Sequence, residues 1–165
     1  FLRGVIFIDE ANSITENENS GCDGRECLTE LTKALEDYRD NLVVIVAGYT
    51  EPMKQFFESN PGLKSRFNTF ITFEDYNGDE LFKIFEKMCK EDDYEMSPEI
   101  VVGLKEIFNE RANLHMQNFS NGRFVRNLYE NMVMNHARRV MCIVDPTLNQ
   151  LRLFEKEDVP TRNTL

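Results

Sequence analysis

Val5-Ile6-Phe7-Ile8-Asp9-Glu10 is an apolar run that ends abruptly in two adjacent carboxylates. Four consecutive apolar residues suit a strand buried on both faces, as in a parallel sheet covered by helices. Open α/β sheets bind their ligands just beyond the carboxyl ends of such strands. Two acids at that point make a poor core and suit metal-and-water chemistry. Asp9 has the chemistry to hold a magnesium ion through water, and Glu10 to orient or deprotonate an attacking water. The competing reading is that Asp9 opens a loop and caps the turn after it.

Downstream of the acidic pair, Asn12 to Gly24 is polar and reads as an exposed loop. Gly24 to Asp40 then carries Cys27, Leu28, Leu31, Ala34, Leu35 and Tyr38 at helical spacing, with Asp23 as its N-cap. Asn41 to Gly48 is a second apolar strand. A helix between two such strands makes a parallel crossover the natural connection. Thr50 to Ser59 reads as a short helix with Pro52 in its first turn, broken by Asn60-Pro61-Gly62. Thr69 to Phe73 reads as a third, shorter strand.

From Asn77 onward the texture is helical only. Asp79 to Lys90 carries a stripe of Leu81, Phe82, Ile84, Phe85, Met88 and Cys89. Ser97-Pro98 opens a helix to about Asn113, with Ile100, Val101, Leu104, Ile107 and Phe108 inward. Phe124 to Val140 forms another through Val125, Leu128, Met132, Val133 and His136. The boundary falls near Tyr76-Asn77-Gly78, giving an α/β part over residues 1–76 and a small helical domain over 77–165.

Composition narrows the function classes. Net charge is −10, with 29 acids against 19 bases, which argues against a general nucleic-acid-binding surface. No apolar stretch approaches the roughly 20 residues that cross a bilayer, and no cleavable signal pattern is present. Cys22, Cys27, Cys89 and Cys142 include no C-x-x-C pair, and neither His115 nor His136 sits at metal-ligand spacing from a cysteine. Reduced thiols in a cytoplasmic protein are the simplest account. A start at Phe1, already entering a strand, reads as a piece of a longer protein.

Taken together these pieces resemble an AAA+ ATPase, most closely the CbbX/SpoVK-type branch. The matching stretches are G-V-I-F-I-D-E-A at Gly4 to Ala11 and K-A-L-E-D-Y-R-D-N-L-V-V-I-V-A-G-Y at Lys33 to Tyr49. They continue with E-S-N-P-G-L-K-S-R-F at Glu58 to Phe67 and N-G-R-F-V-R-N at Asn121 to Asn127. The resemblance implies a partial P-loop-type parallel sheet with helices, followed by a small all-helical lid domain. Val5 to Glu10 matches the family's Walker B strand, so that Asp9 supports magnesium and Glu10 polarises the hydrolytic water. Arg66 matches the arginine finger that reaches the γ-phosphate on the neighbouring subunit, with Lys64 a nearby alternative. A guanidinium suits that task by its permanent charge and its two-pronged reach. Without that motif, an ion pair with an acid such as Glu58 is the plainer reading. Arg123 matches the sensor-2 arginine of the lid, and Arg126, on the adjacent face, suits sharing or taking over that role or forming a surface ion pair. Thr50 stands where many AAA+ proteins place a sensor-1 asparagine, and its hydroxyl suits either capping the following helix or orienting water. Ile14 to Gly24 occupies the place of a pore-facing loop but lacks aromatic residues.

The largest departure from the family is the lack of G-x-x-x-x-G-K-[ST], the loop whose amides and lysine cradle phosphates. The resemblance puts that loop N-terminal to Phe1, together with the strand that separates the second and third strands of this chain. This chain alone is therefore expected neither to bind ATP usefully nor to hydrolyse it, and its sheet is expected to have an open apolar edge. The intact protein is expected to form a ring-shaped homo-oligomer, a hexamer, that uses ATP and Mg2+ to remodel a protein substrate. Substrates in this branch include inhibited Rubisco, and other relatives serve sporulation or secretion. Two alternatives remain. One is a non-catalytic assembly or regulatory module that keeps the fold. The other is a D-E-A-x helicase, which fits Asp9-Glu10-Ala11 but not the helical lid or the acidic balance.

Overall fold

The computed structural model describes residues 4–16, 23–59, 61–113 and 121–161, with the side chains of Glu16, Asp23, Arg25 and Ser59 left aside. The chain divides into two compact units between Phe73 and Glu74.

In the first unit, β1 (Gly4–Ile8) and β2 (Leu42–Val46) pair in parallel, with Gly4 opposite Leu42 and Ile8 opposite Val46. Between them run α1 (Ser13–Glu16) and α2 (Asp23–Asp37), so the crossover is helical as expected. The helices α3 (Thr50–Ser59) and α4 (Pro61–Lys64) follow β2. Parallel strands alternate their side chains between faces. Ile8 and Val46 join Ala11, Leu28, Phe56, Phe57 and Leu63 in a core beneath one face. The opposite face is apolar and bare: Val5, Phe7, Val43 and Ile45 are all exposed.

Three sequence expectations change in this unit. Residues 69–73 form no strand. Strand geometry is sustained by ladder bonds to a neighbour, and the described sheet offers this segment none. Phe70 instead packs edge-on against Phe57, with ring centroids 5.4 Å apart. Cys27 and Tyr38 are exposed rather than inward, because Cys27 lies one residue off the Leu28 stripe and Tyr38 falls beyond the end of α2. Of the polar stretch expected as a loop, residues 13–16 are helical, and residues 17–22 lie outside the described residues.

The second unit is built on α5 (Gly78–Glu91), α6 (Pro98–Asn113) and α7 (Asn121–Val140). Their apolar stripes meet in a core containing Leu81, Phe85, Leu104, Phe108, Val125, Leu128 and Met132. Asn77 and Glu80 form a capping box at the start of α5, and Ser97 accepts the Ile100 amide at 3.4 Å at the start of α6. This unit is not purely helical. β3 (Glu95–Met96) and β4 (Leu153–Phe154) make a two-residue parallel pair, flanked by α8 (Leu148–Arg152) and a 3-10 turn at Lys156–Asp158.

Phe154 is completely buried and stacks on Tyr94 at 4.5 Å between centroids. Arg139, in the last turn of α7, fixes this return segment. Its Nε and Nη2 donate to the buried Asp158 carboxylate, both at 2.9 Å, and Nη2 also donates to the Leu153 carbonyl at 3.0 Å. A bidentate guanidinium–carboxylate pair compensates the cost of burying Asp158. No described helix is long and apolar enough to cross a membrane.

Candidate functional site

The acidic pair sits where the ladder of β1 ends. Ala47 donates to the Ile8 carbonyl at 2.9 Å and Ala11 to the Ala47 carbonyl at 3.0 Å, so backbone bonds grip both sides of Asp9-Glu10. Between those bonds Glu10 adopts φ 49°, in the left-handed region. A long side chain seldom stands there without a reason. Asp9 Oδ1 accepts the Glu10 amide at 3.0 Å, and the Glu10 carbonyl accepts the Ser13 amide at 2.9 Å to open α1. The Asp9 carboxylate thus holds the adjoining amide and reaches no amide of α1 among the described residues, and both Asp9 and Glu10 are exposed.

The end of β2 lies alongside. Gly48 is packed so tightly that a Cβ would come within 2.5 Å of Asn12 Oδ1 and 2.8 Å of Met53 Sδ. Thr50, two residues on, begins α3 and is exposed. The Met53 amide bonds to the Tyr49 carbonyl at 2.9 Å, and the Thr50 hydroxyl makes no hydrogen bond among the described residues. The capping reading of Thr50 is therefore not realised.

Arg66 follows α4. Its Nη1 donates to the Gly62 carbonyl at 2.7 Å, and its Nη2 lies 3.3 Å from Glu36 on α2. The acid that pairs with it is Glu36, not Glu58. Lys64 makes no ion pair among the described residues. In the second unit, Arg123 and Arg126 lie in the first turns of α7, both exposed and without an ion pair among the described residues. Tyr76 and Asp75 bond to Asn121 just before them.

The titratable groups with shifted behaviour lie elsewhere, in the helical core. Burial, reinforced by Asp92 and Glu86, pushes the Cys89 thiol up to about 12. Burial and the hydrogen bond to Asp92 raise the Tyr129 phenol well above its ordinary value, and burial raises Tyr94. These shifts follow from packing, and none of these groups adjoins the acidic pair in sequence. A cavity of about 530 Å³ between α7 and the C-terminal segment, lined by Asn131, Asn135, Arg138 and Glu157, contains none of the residues singled out from sequence.

The family model described as "ATPase family associated with various cellular activities (AAA)" matches residues 2–75, and the "AAA lid domain" matches residues 77–164. This chain belongs to the AAA family. Within it the chain is of the CbbX/SpoVK type. It is 39% identical over 160 residues to Protein CbbX of Cereibacter sphaeroides, covering 96% of this chain and 51% of that protein. It is 37% identical over 141 residues to Stage V sporulation protein K of Bacillus subtilis, covering 85% and 44%. It is 34% identical over 160 residues to the chloroplastic ribulose bisphosphate carboxylase/oxygenase activase of Cyanidioschyzon merolae, covering 96% and 54%. The AAA chain spans about half the length of the curated relatives it matches.

The residues of this AAA chain suit one part of a magnesium–nucleotide site. Among the described residues no three His, Cys, Asp or Glu side chains converge into a direct metal cage. Asp9, with one oxygen engaged by the Glu10 amide and the other open, suits a water-mediated hold.

Proposed function

We propose that the full-length protein carrying this chain is an ATP-hydrolysing ring, a homo-hexamer in the cytoplasm, that remodels a protein substrate. The single observation that carries this reading is the Asp9-Glu10 pair: two solvent-facing carboxylates at the carboxyl end of a parallel strand, with Glu10 in left-handed backbone. ATP with Mg2+, when bound, supplies the phosphoryl group to be transferred to water.

The chain's own residues would then divide the work. Asp9 orients the metal's water shell through its free oxygen. Glu10 accepts a proton from, or aligns, the attacking water. Thr50, with its hydroxyl unspent on capping, orients the same water from the end of β2. Arg66 leaves Glu36 to neutralise charge on the nucleotide of a neighbouring subunit, and Arg123, with Arg126 beside it, contacts phosphates within its own subunit. The activase of Cyanidioschyzon merolae makes an inhibited carbon-fixing enzyme one substrate class to test. Stage V sporulation protein K makes a sporulation factor another.

Steady-state ATP hydrolysis by the full-length protein, beside its Glu10→Gln variant, tests this. Turnover is expected to fall by roughly 10²–10⁴-fold with ATP binding retained, the range for losing a positioned base. Unchanged turnover removes the Walker B assignment. One observation favours a second reading: Arg66 is already held by Glu36 and Gly62. A non-catalytic assembly module would keep that pair closed, and Arg66→Ala would then leave any turnover untouched. As a finger, its loss costs about 10³–10⁵-fold. The isolated chain, lacking a G-x-x-x-x-G-K-[ST] sequence, is proposed to be inactive by itself; stoichiometric Mg-ATP binding to it would refute that.

A further inference from the structure

Residues 75–78 are fastened to the helical unit at three points. Asn121 Oδ1 accepts the Tyr76 amide at 3.0 Å, and Asn121 Nδ2 donates to the Asp75 carboxylate. The Asn77 side chain accepts the Glu80 amide at 2.9 Å while Glu80 accepts the Asn77 amide at 3.0 Å. Gly78 approaches α6 so closely that a Cβ would sit 2.9 Å from the Asn109 Cα, so only glycine fits. Upstream, Phe70 is held by Phe57 in the α/β unit. Residues 71–74 belong to no element, and Phe73 is 90% exposed.

Among the described residues, it is the Asn121 fastening that ties this segment to the helix that carries Arg123. Asn121 stands at φ 34°, a left-handed conformation that asparagine tolerates better than most residues. Its bonds to Tyr76 and Asp75 span 45 and 46 residues of sequence. A left-handed residue secured by two distant hydrogen bonds, two positions before an exposed arginine, is an economical coupling point.

We propose that Asn121 is a positioning residue for the nucleotide response: it latches the connecting segment to the start of α7, so that displacement of Arg123 is passed to residues 71–74, where the chain pivots. The latch rests on Arg123 being the phosphate contact of the proposed ATPase. Without it, Arg123 could shift by bending the first turn of α7 and leave the connecting segment behind. With it, Asp75, Tyr76 and Arg123 move as one body.

Glycine at 121 keeps the left-handed backbone without steric cost and deletes both side-chain bonds. In the full-length protein, Asn121→Gly is expected to raise the KM for ATP about tenfold, within the usual span of coupling between sites. The Arg123→Ala variant raises it at least as much, and the double variant is no worse than Arg123→Ala, since a residue acting through another adds nothing once the other is gone. A swap gives the rescue. Asn121→Asp alone sets a carboxylate against Asp75 and raises KM. Adding Asp75→Asn restores the donor–acceptor pair and returns KM to the wild-type value. Additive losses, or a swap that does not rescue, overturn the latch.

If Arg123→Ala changes nothing while Glu10→Gln abolishes turnover, the sensor reading has failed and the latch falls with it. A readout free of activity is hydrogen exchange at the Tyr76 amide of this chain, expected to quicken about fivefold in Asn121→Gly, the scale of one hydrogen bond. Unchanged exchange overturns the latch outright.

Discussion

Glu10 holds a conformation that most side chains avoid, and it does so between two backbone bonds that leave it no slack. If that strain serves chemistry, relieving it should stabilise the fold while removing the carboxylate. Glu10→Gly is expected to stabilise the α/β unit by about 0.5–1 kcal/mol, the scale of a left-handed penalty offset by glycine's extra freedom when unfolded. Urea titration of this chain measures it, and a midpoint that drops would show that Glu10 is held by contacts rather than against them. The acidic pair itself was legible, because apolar-then-acidic at a strand end is a local pattern. Its dihedral was not, since it is imposed by Ala11 and Ala47 bonding across the sheet. The partner of Arg66 escaped for the same reason. Glu36 and Glu58 are equally acidic in sequence, and only the packing of α2 against α4 selects Glu36.

At the scale of elements, periodicity was a sound guide wherever a helix buries one face. The stripes of α5, α6 and α7 were legible almost residue by residue, and the parallel pairing of β1 with β2 followed from the helix between them. Segments whose form depends on a distant partner were not legible. Residues 69–73 have strand chemistry without a strand beside them, and Leu153-Phe154 has a strand partner that no local pattern announced.

The tight packing between α5 and α7 carries a pH signature. The Tyr129 hydroxyl donates to Asp92 at 2.6 Å, and Cys89 lies buried in the same core. Both groups titrate higher in the folded chain than in the unfolded one. The unfolded thiol ionises near its ordinary 9.0, whereas the folded thiol waits until about 12. Above pH 9 the unfolded chain therefore binds fewer protons, and stability present below that point is lost as pH rises. The slope is about 1.4 kcal/mol per pH unit for each such group, with Tyr129 joining above 10. Urea midpoints of the helical unit at pH 8, 9.5 and 10.5 should fall accordingly, and Cys89→Ala should flatten the first part of the decline. A wild-type midpoint level to pH 10.5 would contradict this.

Across the whole molecule, the two units differ in how well each encloses its own apolar surface. The helical unit surrounds its core with three long helices and a return segment. The α/β unit leaves Val5, Phe7, Val43 and Ile45 open on one face of a two-stranded sheet, and two strands alone are marginal. Chymotrypsin should therefore cut first near Phe73, after which the helical portion should outlast the α/β portion. Survival of the α/β portion would reverse the ranking. The same bare face predicts that the purified chain self-associates with rising concentration, visible by light scattering.

The pairing of Glu95 with Leu153 also has a kinetic meaning. Helix bundles fold fast because most of their contacts are local, yet this one includes a strand pair that reaches across the whole of α6 and α7. Phe154 can reach the Tyr94 ring only after α6 and α7 have both been laid down, so closing this contact carries the loop cost of everything between them. During synthesis a ribosome that stalls before Phe154 would hold a chain with an unfilled socket where that ring belongs.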